Sequence, residues 1–181
     1  MTVDEYFAEL ETRARLQLIK GLKAYKTAKG YYPFAAAFSD PLGDCQVGLR
    51  SGHPAVSVGT CNAGDELAMP NWWIAGGWHR YFVYAASPRC VVGNTACNSP
   101  GLTVTSRTDV NAIVIAPRIA ITSAPFAASR LSAQTPWLGG VLSANAADYL
   151  DSIENAAGAV DVFESTLGAL APNNDRLDIV E

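Results

Sequence analysis

The chain has 181 residues, 49% of them hydrophobic and 17% charged, with 13 basic against 17 acidic side chains and a formal net charge of −4. That length supports one substantial core, so a single domain over 1–181 is expected. The mild acidity argues against a nucleic-acid partner, no apolar run nears the ~20 residues that cross a bilayer, and the acidic start is unlike a secretory signal.

Residues 1–29 predict one long amphipathic helix. Phe7, Leu10, Ala14, Leu18, Leu22 and Tyr25 recur at steps of three and four and draw one apolar stripe. Asp4, Glu5, Glu9 and Glu11 crowd the start, and Lys20, Lys23, Lys26 and Lys29 the end, as the helix macrodipole favours. Gly30 and Pro33 then stop it. Six of the 13 basic residues lie on this helix, whereas the sequence from Leu142 onward carries eight acids and only Arg176. Solvated faces account for that division, and head-to-tail complementarity between subunits is the sharper alternative.

Residues 30–79 are rich in Gly, Pro, Ser and Asn and hold neither helical nor strand period for long, which predicts a variable loop region. Cys45 and Cys61 lie in it, and Cys90 and Cys97 follow. Four cysteines permit three pairings. The local one, Cys45–Cys61 with Cys90–Cys97, closes two short loops and is the one expected; a loop of about fifteen residues gains ~3 kcal/mol when bridged. Unpaired thiols and a zinc site are the alternatives, but closely spaced ligand pairs of the zinc kind are missing. Disulfides imply an oxidising compartment.

Residues 80–181 carry the sheet and the C-terminal region. Arg80–Ala86, Leu102–Ser106 and Ala112–Ala116 read as three strands of an antiparallel meander, with Arg107–Asn111 turning between the last two. A short helix over Ala144–Ile153, an edge strand over Val160–Ser165 and a last strand over Arg176–Val180 complete the expectation. The class is α+β: a long N-terminal helix packed against a small antiparallel sheet, with a disulfide-stapled loop region.

Catalytic signals are thin, and no enzyme is expected. Gly48-Leu49-Arg50-Ser51-Gly52 lacks the glycine spacing of a nucleophile elbow. His53 and His79 permit a hydrolase relay on paper only. Asp148, Asp151 and Glu154 stand at helical three-residue steps and read as a solvated face. Asp161, Glu164, Asn173, Asn174, Asp175 and Asp178 are oxygen donors of the sort Ca2+ accepts, but they fit no EF-hand loop, so no cofactor is expected and Ca2+ stands as the alternative. Trp72, Trp73, Trp78, Tyr81, Phe82 and Tyr84 form a dense aromatic patch that reads first as core and second as a ligand platform.

In order along the chain, several blocks resemble the type IV pilins and type II secretion pseudopilins, in particular minor pilins. The helix breaking into Gly30-Tyr31-Tyr32-Pro33 resembles the end of the long pilin helix. Pro70-Asn71-Trp72-Trp73 and Gly77-Trp78-His79-Arg80-Tyr81 resemble the aromatic stretch ahead of the first strand. Asp148-Tyr149-Leu150, Glu154-Asn155-Ala156, Val162-Phe163-Glu164 and Asn174-Asp175-Arg176-Leu177 resemble the tail of that group. The family's basic leader, cleavage site and apolar anchoring helix have no counterpart in this sequence. The resemblance implies a pilin-like headpiece of a protein that is membrane-anchored in full-length form. It would sit at the periplasmic face of the bacterial inner membrane, or outside the cell in a pilus. It further implies a structural subunit in filament assembly or tip function and adhesion, with other pilin or pseudopilin subunits as partners and the inner membrane reached through the missing segment. Leu16 and Ile19, off the main stripe, are the residues expected to contact neighbours. The alternative function is a secreted carbohydrate- or adhesion-type binding module using Trp72, Trp73 and Trp78.

Overall fold

The computed structural model describes residues 3–39, 48–56, 66–97, 101–117, 161–163 and 176–181. Along the chain run α1 (Val3–Lys29), β1 (Ala35–Ala36), β2 (Ser51–Pro54), α2 (Asn71–Ala75), α3 (Trp78–Tyr81), β3 (Val83–Ala86), β4 (Leu102–Val104), β5 (Arg107–Val110), β6 (Ala112–Ala116), β7 (Val162–Phe163) and β8 (Arg176–Val180). The helix has 27 residues and at ~1.5 Å per residue is about 40 Å long. It ends where the sequence says it should. Gly30 takes a left-handed φ of +83°, and its N–H donates to the Lys26 carbonyl at 2.7 Å.

Five strands form the main sheet in the order β1-β2-β3-β6-β8, antiparallel at every step. A smaller sheet runs β5-β4-β7, with β4 and β7 parallel. Alternation along the strands divides the core in two. Tyr84, Ala86, Ala112, Val114, Ala116 and Val180 share one cluster with Ala14, Leu18 and Leu22 of α1. Val83, Ala85, Ile113 and Ile115 share the other with Leu102, Val104, Val110 and Phe163 of the smaller sheet. The main sheet is thus covered on both faces, which is why β3 and β6 are apolar at every position and buried throughout. Alanines dominate the sheet positions under the helix.

The α+β class and the long helix stand, and several element boundaries change. Arg80–Ala86 is not one strand: Gly77, at a left-handed φ of +73°, starts the turn of α3, and the strand begins at Val83. Packing of the Trp78 and Tyr81 rings overrides the β propensity of the run. The expected meander does not form either. β3 pairs directly with β6, while β4 and β5 make a hairpin in the other sheet. The turn lies at Thr105–Ser106, with Thr105 left-handed at φ 55°, and Arg107–Val110 is strand where a turn was expected. The variable region also carries more order than its composition suggests, in β1, β2 and α2.

Cys90 and Cys97 are disulfide-bonded. Cys45 and Cys61 lie outside the described residues, as do the expected helix at 144–153, the acids Asp148, Asp151, Glu154 and Glu164, and Asn173 to Asp175.

Candidate functional site

Everything distinctive about the fold converges on α1, which has two unlike faces. Its inner face buries Glu11, Ala14, Arg15, Leu18 and Leu22, a stripe at helical spacing that includes two charges. Each charge has a partner from far along the chain. The Tyr81 hydroxyl donates to Glu11 Oε2 at 2.5 Å, and Arg15 Nη1 donates to Asp178 Oδ1 on β8. Between them the Trp73 indole N–H of α2 donates to the Ala14 carbonyl at 2.9 Å. Three polar contacts from α2, α3 and β8 therefore fix how the helix is rotated and how far it has slid along the sheet, which apolar packing alone leaves free.

The outer face is different. Glu9, Arg13, Leu16 and Lys20 line a shallow groove that also takes in Ala8, Thr12 and Gln17. Leu16 is 54% exposed in it. An isolated exposed leucine means little, but this one lines an open groove along a 27-residue rod. Of the pair expected to meet neighbours, only Leu16 points outward. Ile19 is half-buried and packs against the main core cluster.

The tryptophans do not form a three-ring platform. Trp73 is fully buried and stacks on Phe82 at 6.2 Å between centroids. Trp78 is buried too, stacked on Phe82 and edge-on to Tyr81. Burying the Trp73 ring requires an acceptor for its N–H, and the Ala14 carbonyl supplies it. Trp72 alone faces outward, 39% exposed, and Arg13 of α1 lies over its ring at 5.0 Å. Phe7, counted in the apolar stripe, is 37% exposed and flanks Trp78 and Tyr81.

Both histidines are inside. His53 Nδ1–H donates to the Phe82 carbonyl at 2.8 Å, and the ring lies against Phe38. Burial lowers its pKa to about 4. His79, beside Trp73, is lowered to about 4 as well, by burial first and then by the Arg80 charge. Each ring is held neutral at ordinary pH. Among the described residues no cluster of three or more His, Cys, Asp or Glu gathers to hold a metal ion, and no described helix is long and apolar enough to cross a membrane.

At the far end of α1 the Cys90–Cys97 loop grips the helix terminus. Tyr32 N–H donates to the Cys90 carbonyl at 2.9 Å, Tyr32 and Val91 form a parallel bridge, and Cys97 Sγ sits 3.3 Å from the Gly30 carbonyl oxygen. The tyrosine reaches further: its hydroxyl donates to the Val180 carbonyl of β8 at 3.1 Å. The end of the rod is therefore clipped to both the disulfide loop and the sheet edge.

Comparison with protein-family models, with curated proteins and with solved structures gave no match. The functional reading therefore rests on the chain's own geometry and on the resemblance of its sequence blocks.

Sequence reasoning missed Glu11 and Arg15 as inner-face residues. Their i, i+4 spacing is visible, but that spacing also describes an ordinary surface ion pair. Only the positions of Tyr81 and Asp178, supplied by the fold, distinguish the two.

Proposed function

We propose that this chain is the head of a filament subunit of the type IV pilin or type II secretion pseudopilin kind, working through protein–protein contacts rather than catalysis. The observation that carries the reading is the division of α1. One face is fastened to the head by Glu11, Ala14 and Arg15, and the opposite face is left open with Leu16 exposed in its groove. A helix used only as core has no need of an apolar outward groove. The long rod laid on an antiparallel sheet, the Gly30 stop and the order of the aromatic and C-terminal blocks support the same reading. In the cell such a head would stand in the periplasm or outside, where the Cys90–Cys97 bond persists, and would be held to the inner membrane by an apolar segment ahead of Val3.

The test is Leu16→Glu in the protein expressed from its own gene. Leu16 is exposed, so folding of the head should change by no more than about 0.5 kcal/mol, while incorporation into filaments is lost. Assembly equal to that of the parent protein, or a native gene encoding nothing apolar ahead of this helix, would refute the proposal.

A further inference from the structure

The two sulfurs of the disulfide are presented unequally. Cys90 is fully buried within the main core cluster, whereas Cys97 is half-buried and packs on that cluster from outside. Thiol–disulfide exchange requires a sulfur to approach along the line of the bond, so it takes place at whichever sulfur can be reached. We propose that Cys97 is the exchange site of this chain, the sulfur through which an external disulfide oxidant or thiol reductant makes and opens the bond, with Cys90 as the resolving partner.

The chemistry balances without any group from the rest of the protein. In closure, the Cys97 thiolate attacks an oxidant R–S–S–R, forming a Cys97–S–S–R mixed disulfide. One RS⁻ is released and takes up the proton that Cys97 gave away. The Cys90 sulfur then attacks Cys97 Sγ and expels the second RS⁻, which receives the Cys90 proton. The two cysteines lose two electrons and two protons, and the oxidant leaves as two thiols. In opening, an incoming thiolate attacks Cys97 Sγ and Cys90 departs as a thiolate in apolar surroundings that disfavour the charge, so it returns to Cys97 before a second thiol arrives. A mixed disulfide held at Cys97 stands beside the Gly30 carbonyl, at the joint where α1 meets the head. The inference does not depend on the filament reading.

The experiment uses the full chain in native buffer with glutathione disulfide as probe, repeated with an oxidised Cys-X-X-Cys oxidoreductase. In the Cys90→Ser variant, the tryptic peptide from position 90 to Arg107 should acquire the mixed disulfide at Cys97. The rate should be at least about tenfold above that at Cys90 in the Cys97→Ser variant. Concentrated guanidinium should erase the difference. Cys45 and Cys61 fall on other tryptic peptides and do not confuse the reading. Equal native rates, or faster reaction at Cys90, would overturn the proposal. Reaction with glutathione but not with the oxidoreductase would keep Cys97 as the exchange site and assign it to small thiols. Should either variant fail to fold, the parent chain, reduced in native buffer and given a short alkylation pulse, supplies the same answer: first label on Cys97 supports the assignment, and first label on Cys90 refutes it.

Discussion

Arg15 and Asp178 meet across the gap between α1 and β8 in a single-pronged contact, Nη1 on Oδ1, and among the described residues Arg15 Nε and Asp178 Oδ2 have no hydrogen-bond partner. Such a pair is costly to break from one side and cheap to replace as a whole. Arg15→Met should therefore destabilise the fold by about 2–3 kcal/mol in urea unfolding. Adding Asp178→Leu should recover most of that loss; a double variant no better than the single one would show that the pair contributes net stability. The histidines make a second prediction at this scale. Both have folded pKa values of about 4, below the ordinary 6.5, so the folded state favours their neutral forms. For His53 the cause is burial, opposed by the Phe82 hydrogen bond and reinforced by His79 and Arg80. Their contribution is whole above pH 6.5 and is lost as pH falls toward 4, by up to about 1.4 kcal/mol per pH unit per imidazole. Urea midpoints across that window should fall, and His79→Phe should flatten the fall. An unchanged slope in that variant would exclude His79 as a contributor.

Strands and helices were legible to different degrees, for physical reasons. The reach of α1 could be read to its last turn because its periodicity, charge order and Gly30 stop are all local. β6 was legible as an apolar run and β8 as a short last strand, yet their partners were not: β3 joins β6 across a hairpin that leaves for another sheet, a choice made by tertiary packing. β5 escaped because three of its four residues are exposed and polar, so no alternation marks it. The first two strands hid for a different reason: β1 is only two alanines and β2 is Ser-Gly-His-Pro, neither with a β-type composition. Gly52 in β2 is there because β1 comes very close; a Cβ at that position would lie 2.0 Å from the Ala36 carbonyl oxygen. Gly52→Ala should accordingly push β1 off the edge and cost about 2–3 kcal/mol, read as a lower urea midpoint and faster amide exchange at Ala35 and Ala36. Exchange left at parental rates would mean the strands accommodate the methyl by shifting together.

Taken whole, the molecule is a rod, a sheet and a smaller sheet in layers, laced across by side chains far apart in sequence. Arg50 ahead of β2 reaches Asp161 ahead of β7 at 2.5 Å, tying the main sheet to the smaller one, and Asp161 holds a left-handed φ of 58° as it does so. The outward surface of α1 was half legible. Leu16 falls off the apolar stripe and could be singled out, but Ile19 does so too, and only the tertiary packing of the core decides that one is half-covered and the other bare. The opposite fates of Trp72 and Trp73 were likewise illegible, since the two neighbouring rings differ by the turn of one short helix.

Ala14 of α1 and Ala86, Ala112 and Ala116 of the sheet are buried in one cluster, so methyl groups make up part of the seat on which the rod lies. Under the proposed reading, Ala112→Leu would therefore act as a wedge in that seat, tipping the axis and pointing Leu16 in a new direction without touching the docking face itself.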